Sequence, residues 1–156
     1  MNTKPSELKH LQRQHVGQLG EKLALQYLES EGYELEAQNW LGKRGELDLV
    51  VIKNNILVIV EVRSTSTTWL ERPAEATPIS KQKQVARCAD EYLSCRSKQT
   101  HDIENIRFDV IGIYISKELL NSDSTIYNQS FNDTRLSNEK YFIDHVENAY
   151  TSPWAF

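Results

Sequence analysis

Apolar residues recur at helical spacing near the N-terminus and predict a first helix over residues 6–30. Two glycines weaken its middle, so residues 1–15 are expected to form a frayed beginning and residues 20–30 the firm part. Gly32 stands where glycine typically ends a helix. A short first strand is expected next, over residues 33–40.

Two β-rich runs follow, at residues 47–52 and 56–62, and both are almost continuously apolar. Such runs are typical of strands in a sheet that is covered on both faces. Asn54 and Asn55 join them, and asparagine tolerates the positive φ angles that a two-residue hairpin turn requires. The pattern therefore predicts a hairpin at the centre of the fold.

The later elements are a loop, a helix, a strand, a polar insertion and a last strand, which span residues 64–79, 81–97, 106–115, 116–139 and 141–146 in that order. Ser80 is expected to be the N-cap of the helix. The insertion is rich in Asn and Ser and is expected to be irregular. The element order αβββαββ predicts one α/β domain over residues 1–156, with a mixed central sheet flanked by helices.

The predicted turn determines which residues of the hairpin face each other. Counting outward from it, Asp48 lies opposite Glu61 and Glu46 lies opposite Arg63. Side chains alternate along a strand, so these four residues are expected to share one face of the sheet. That face also carries Val50, Ile52, Leu57 and Ile59, and the opposite face carries Leu47, Leu49, Val51, Val58, Val60 and Val62.

Three carboxylates and one cation thus occupy the end of an otherwise apolar face. Directly opposed like charges destabilise a sheet, so a reason is needed to keep both Asp48 and Glu61. One reading is a bound hard divalent cation, which prefers oxygen ligands. The other is a self-contained salt-bridge cluster in which Arg63 neutralises one acid. The apolar surroundings favour the metal site, because buried carboxylates without partners are costly.

Three charged residues on the helices allow two readings each. Glu21 lies on the apolar stripe of the first helix, where it is either a third metal ligand or a partly exposed acid near a frayed helix start. Lys81 and Lys83 open the second helix, where cations are unfavourable. They either hold anions such as phosphates or are simply solvated.

Composition and charge narrow the function classes. The chain has 156 residues, about one domain, with 39% hydrophobic residues and no apolar run long enough for a membrane. Its N-terminus carries no secretory signal, so we expect a cytoplasmic protein that does not engage a membrane. The net charge of −4 excludes a general polyanion binder, and residues 99–156 alone carry −5. A nucleic-acid site must therefore be a local patch in the first two-thirds of the chain.

Several short motifs, taken in order over residues 15–150, resemble the YraN-like family of small bacterial proteins. They are Gly20-Glu21-x-x-Ala24-x-x-Tyr27-Leu28, Gly32-Tyr33, Asn39, Gly45-Glu46-Leu47-Asp48-Leu49-Val50, Ile59-Val60-Glu61-Val62-Arg63, Lys81, Arg107-Phe108-Asp109-Val110 and Glu147-Asn148-Ala149-Tyr150. That family is similar to the PD-(D/E)XK nucleases, which have the restriction-endonuclease-like fold and are related to archaeal Holliday junction resolvases. The resemblance implies that fold for this chain.

The resemblance also implies a Mg²⁺ or Mn²⁺ site. Glu21, Asp48 and Glu61 match the three acids that bind the metal in such nucleases, and the backbone carbonyl of Val62 would be a further ligand. Arg63 occupies the position of the Lys that positions or activates the water. A guanidinium stays charged, so Arg63 can hold a phosphate or stabilise charge but cannot act as a general base.

The leading hypothesis is a metal-dependent endonuclease acting on DNA, with branched and single-stranded DNA both open as substrates. Asp48, Glu61, Arg63 and Glu46 would be the catalytic residues, with Glu46 orienting a water or a ligand. The basic surface for the nucleic acid would consist of Lys43, Arg44, Arg72, Lys81, Lys83 and Arg87. The alternative is a catalytically silent module that binds nucleic acid or a protein partner. By analogy with resolvases a homodimer is an option, and the oligomeric state stays open.

Overall fold

A computed structural model describes residues 4–66, 77–96, 102–121 and 140–151. The described elements follow the order αβββαβαβ and form a mixed five-stranded sheet with helices on both faces. This is the α/β architecture expected from the sequence for a restriction-endonuclease-like domain. None of the helices in the described ranges has an apolar stretch long enough to cross a membrane.

The first helix, α1, spans Pro5–Ser30. Pro5 occupies the first helical position, and the Glu7 carboxylate accepts the Lys4 backbone N–H at 3.2 Å. At the other end Gly32 has φ +87° and its N–H donates to the Glu29 carbonyl. Pro5 and the Glu7 contact begin the helix within the segment predicted to be frayed, and the fraying itself stays a prediction.

Strands β1 (Glu34–Leu41), β2 (Glu46–Lys53) and β3 (Ile56–Thr65) form an antiparallel meander. The predicted hairpin is confirmed: Lys53 pairs with Ile56, and Asn54 and Asn55 have φ of 51° and 61°. Strand β4 (Asn105–Ile115) runs parallel to β3, and β5 (Tyr141–Tyr150) is antiparallel to β4.

The second helix, α2, spans Ile79–Cys95, and a short α3 spans Lys117–Asn121. The prediction of Ser80 as N-cap is wrong, because Pro78 takes that position with extended φ and ψ and its carbonyl already accepts the Gln82 N–H. The irregular insertion predicted for 116–139 is also wrong at its start, where α3 forms. The remainder, residues 122–139, lies outside the described residues.

Both faces of the sheet are buried, as the apolar strands indicated. One layer packs against α1 and contains Leu23, Leu28, Leu49, Val51, Val58, Val60, Ile111 and Ile113. The other packs against α2 and contains Leu47, Val50, Ile52, Leu57, Ile59, Val85, Phe108 and Val110. Leu47 was predicted to share a face with Leu49, and this is wrong: Leu47 packs with Val50 on the α2 side, whereas Leu49 packs on the α1 side.

The reason is a break in strand alternation at Asn39 and Asp48. Asn39 has φ +49°, outside the extended region. The next cross-strand pair is Trp40 and Leu47. Because alternation is broken before it, this pair packs on the α2 side, as Ala37 and Val50 do. The pairing of β4 with β5 also changes register, between Phe108 and Val110. Strand β5 ends at Tyr150, four residues beyond its predicted end at Val146.

Candidate active site

A small cavity of about 10 Å³ lies at the end of the β2–β3 hairpin, beside the start of α2. Its lining includes the three acids Glu46, Asp48 and Glu61 together with Lys81 from α2. A volume of this size holds about one water molecule or ion. The shared side that the sequence predicts for Asp48 and Glu61 is therefore observed, and Lys81 approaches it from the second helix.

Asp48 binds the backbone of the neighbouring strand directly. Its Oδ2 accepts the Val62 N–H at 2.8 Å, and the regular pairing of β2 with β3 ends at Leu49 and Val60. The predicted ladder pairs Asp48–Glu61 and Glu46–Arg63 are thus wrong in detail. The Asp48 carboxylate replaces a strand–strand contact at this point, so two like charges need not be directly opposed.

Glu61 and Arg63 interact along the same strand. The Arg63 Nε and Glu61 Oε1 lie 3.4 Å apart, with 27% and 11% of the two side chains exposed. The other oxygen, Glu61 Oε2, is buried and has no hydrogen-bond partner among the described residues. Arg63 therefore neutralises the charge of Glu61 only in part, and one buried acceptor lacks a donor.

Glu21 reaches the site from α1 because the helix approaches β3 very closely. A Cβ on Gly20 would lie 2.4 Å from Ser64 Cβ, so only glycine fits at this crossing. The Ser64 hydroxyl also donates to the Val16 carbonyl at 3.1 Å. Glu21 follows directly in the chain, and its side chain interacts with Asn39 and lies near Asp48.

Burial raises the pKa of both Asp48 and Glu21. For Asp48 the negative charges of Glu61 and Glu46 add to this, whereas the Val62 N–H and the Lys81 charge oppose it. For Glu21 the charge of Asp48 adds to burial, and a hydrogen bond with Asn39 opposes it. Acids with raised pKa values beside one another are typical of sites that take a proton or a cation.

A hard divalent cation suits the donor chemistry here. Carboxylates of β2 and β3 line one cavity, Glu21 of α1 interacts electrostatically with Asp48, and Glu61 Oε2 is a buried acceptor without a donor among the described residues. Among the described residues, no three His, Cys, Asp or Glu side chains lie close enough together to hold a metal ion as they stand. The Val62 backbone N–H donates to Asp48. The resemblance assigns the backbone carbonyl of the same residue to the metal.

The basic residues expected to contact nucleic acid lie partly around this cavity. Lys43 and Arg44 lie in the exposed β1–β2 turn. This turn is hydrogen-bonded to α2: the Lys43 N–H donates to the Glu91 carboxylate at 3.0 Å, and the Gln84 side chain donates to the Arg44 carbonyl. On α2, Lys83 and Arg87 are exposed and Lys81 is half-buried. Arg72 lies outside the described residues.

Sequence reasoning missed a second polar cluster on the α1 side of the sheet. Asp109 on β4 is fully buried, accepts two hydrogen bonds of 2.8 Å from Arg107, and accepts the Asn148 N–H at 2.9 Å. Its Oδ2 lies 2.8 Å from His145 Nε2, and His145 Nδ1 lies 3.2 Å from the Tyr27 hydroxyl. The spacing of Arg107 and Asp109, two apart on a strand, was the available signal for this pair.

The fold and this convergence of acids define an α/β protein with a candidate metal centre at one end of a central mixed sheet. Residues 20–113 match the profile of a family described as "Uncharacterised protein family UPF0102". The chain belongs to this family, as its resemblance to YraN-like proteins implies.

Relatives from several bacteria support the assignment over most of the chain. A UPF0102 protein of Alkaliphilus oremlandii is 32% identical over 86% of this chain and 97% of its own length. One from Bacteroides thetaiotaomicron is also 32% identical, over 88% of this chain and 93% of its own. A third, from Alkaliphilus metalliredigens, is 36% identical over 66% of this chain and 88% of its own.

Proposed function

We propose that this protein is a divalent-metal-dependent endonuclease acting on DNA. The observation that carries the proposal is the convergence of Asp48, Glu61 and Glu46 with Lys81 on one small cavity, with a buried oxygen of Glu61 left without a donor. Glu21 approaches the same acids from α1. An all-oxygen, negatively charged site beside a lysine fits a cation and the phosphate that it would activate.

Asp48 and Glu61 would hold Mg²⁺ or Mn²⁺ through carboxylate oxygens, with Glu21 and the Val62 carbonyl as further ligands. When bound, such an ion lowers the pKa of water and stabilises the charge that develops on the phosphate. The Asp48 side chain is already fixed by the Val62 N–H, so it needs little reorganisation to coordinate.

Arg63 and Lys81 supply positive charge next to these acids. The Arg63 guanidinium, which pairs with Glu61, would bind a phosphate oxygen, a contact that suits its fixed set of donors. Lys81 lies on the other side of the cavity, where its ammonium can contact a second oxygen. Glu46 is exposed and can accept a proton from a water at the mouth of the site.

Cleavage of plasmid and four-way-junction DNA in Mn²⁺ or Mg²⁺ tests the proposal. Asp48→Asn is expected to reduce the rate about 100-fold or more, the scale of several kcal/mol of metal stabilisation. Asp90→Asn is the matched control, because Asp90 is an exposed acid of α2 away from the cavity. No metal-dependent cleavage of any DNA by the folded wild type, or equal rates for the two variants, would refute the proposal.

The second candidate is a binding module that keeps the architecture without catalysis. The Arg63–Glu61 ion pair favours it, because an internal cation already neutralises one of the acids. Calorimetric titration of Mn²⁺ separates the two functions. An endonuclease requires binding that Asp48→Asn removes, whereas a module of this kind requires no metal uptake at the acids.

A further inference from the structure

A groove of about 890 Å³ lies between the N-terminal half of α1, the end of β3 and α3. We call it the α1 groove; its lining includes Lys9, Gln12, Arg13, Ser64, Thr65 and Lys117. None of the described residues that line it is acidic. It contains none of the basic residues that the sequence singled out, so it is a second positive surface of the protein.

The charges in this groove lie on the face of α1 that packs inward elsewhere. Lys9, Arg13, Val16 and Gly20 are spaced by three or four residues and therefore share one side of the helix. Val16 and Gly20 are buried against the sheet, and Val16 accepts the Ser64 hydroxyl. Lys9 and Arg13 continue this inner side beyond the sheet. An amphipathic helix normally places its charges on the outer side.

These positive side chains have no partner among the described residues. The side chains of Lys9, Arg13 and Lys117 make no salt bridge or hydrogen bond with any other residue in the described ranges. Three cations around one cavity repel one another and attract an anion with several charges. The neighbouring Gln12, Ser64 and Thr65 add neutral hydrogen-bonding groups, which commonly contact phosphate and sugar.

The α1 groove and the candidate active site lie near the same end of β3, on opposite faces of the sheet. Ser64 lines the groove and follows Arg63 directly in β3. Because side chains alternate along a strand, these two residues point to opposite faces. An anion bound in the groove would therefore pass around the end of β3 to reach Glu61 and Arg63.

We propose that the α1 groove holds one strand of the nucleic-acid substrate by its phosphates, as that strand leaves the candidate active site. This inference rests on the proposed function, since it specifies the substrate of the same site. The described lining carries one aromatic ring, the half-buried imidazole of His15, so the contact is mainly with the backbone and depends little on sequence.

Fluorescence anisotropy of the full-length protein with a labelled, mixed-sequence single strand tests this, in EDTA so that no cleavage occurs. Lys9→Glu is expected to weaken binding about 10-fold and to reduce the slope of log K against log salt by about 0.7, one phosphate contact. Lys22→Glu is the charge-matched control, because Lys22 lies on the same helix and does not line the groove. It should bind as the wild type does, and melting curves should show both variants folded.

The proposal is overturned if Lys9→Glu binds the single strand no more weakly than Lys22→Glu does, or if the wild type binds no strand at low salt. The outcomes also separate it from the proposed function. Loss of affinity in Lys9→Glu without any metal-dependent cleavage supports the groove and refutes the endonuclease. Cleavage by the wild type with unchanged affinity in Lys9→Glu supports the endonuclease and refutes the groove.

Discussion

Individual buried charges are the features that most affect both chemistry and stability in this protein. Asp48 is a half-buried acid whose pKa is raised by burial and by the charge of Glu61, and Asp109 is a fully buried acid whose hydrogen-bonded neighbours lower its pKa. Both accept a backbone N–H from another strand. The difference lies in the cations: Arg107 contacts Asp109 with two bonds, whereas Asp48 has only the longer-range charge of Lys81. Asp48 is thus suited to bind something, and Asp109 to hold the fold.

Asp48→Asn is expected to raise the melting temperature of the metal-free protein by a few degrees at neutral pH. Asparagine still accepts the Val62 N–H and removes a charge that burial and Glu61 disfavour. Because the folded-state pKa is raised, the ionised acid costs stability above that pKa, and the gain should vanish as pH falls to the ordinary value of 3.8. Thermal melts from pH 3 to pH 8, with Asp90→Asn as control, measure it.

The same melts with added Mn²⁺ should show an increase for the wild type and none for Asp48→Asn, since a ligand stabilises only the state that binds it. Equal shifts in both proteins would place any bound ion elsewhere.

Asp109→Asn is expected to destabilise the protein by about 3 kcal/mol, because it leaves the Arg107 guanidinium in a buried site without its carboxylate. Burial alone would raise the pKa of Asp109, but the bonds from His145, Arg107 and Asn148 outweigh it and lower the pKa. The contribution is therefore complete above the ordinary value of 3.8 and is lost as pH falls below it. Urea unfolding at pH 7 and pH 3 tests this; an equal loss at both would contradict it.

At the scale of elements, the crossing of α1 over β3 sets the position of Glu21. The helix packs on the sheet through Val16, Leu19, Gly20 and Leu23, and Gly20 touches the Ser64 side chain. A helix held at this distance brings the next residue to the acids of the hairpin. The arrangement depends on the absence of one methyl group, which explains why a residue with poor helix propensity occurs here.

Two glycines of α1 should respond in opposite directions to alanine. Gly20→Ala puts a Cβ 2.4 Å from Ser64 Cβ and is expected to cost about 1–3 kcal/mol of overpacking. Gly17→Ala meets no atom within 4 Å and should gain up to about 1 kcal/mol from helix propensity. Urea unfolding measures both, and Ser64→Gly should recover part of the loss. A stabilising Gly20→Ala would show that the crossing is wider than described.

At the scale of the whole molecule, the sheet separates two tasks. The α1 and α2 layers cover its faces and leave one end open, where the acids and Lys81 lie on the α2 side and the α1 groove lies on the α1 side. The negative net charge of −4 does not prevent binding of an anion there, because the potential near a surface depends on the local charges. The N-terminal part of α1 extends beyond both layers, with residues 4–14 exposed.

Hydrogen exchange should therefore follow burial. Amides of β3 and β4, whose side chains form the centre of both layers, are expected to exchange slowest. Amides of α1 before Val16 should exchange much faster than those after it, since they gain nothing from packing. Mass-spectrometric exchange on the free protein measures this. Equal protection along α1 would mean that its N-terminal half is covered in solution.

Features that depend on neighbours in the chain were predictable from the order of the amino acids. The Asn54–Asn55 turn predicted the hairpin register, because a two-residue turn leaves only one way to pair the strands, and the alternation of side chains then gave the shared faces. Helical spacing predicted the cores of α1 and α2, and the shared side of Asp48 and Glu61 followed from the same register. These are local consequences of turn geometry and periodicity.

Features that join distant segments depend on the folded chain. The pairing of β2 with β3 ends at Leu49 and Val60, where the Asp48 carboxylate takes the place of a backbone acceptor. The side on which Leu47 packs depends on the positive φ of Asn39 in the neighbouring strand. The Asp109 cluster joins segments more than thirty residues apart. The inward direction of Lys9 and Arg13 depends on where the sheet ends beneath α1. Periodicity describes which side of an element a residue occupies, whereas its surroundings depend on the packing of the whole chain.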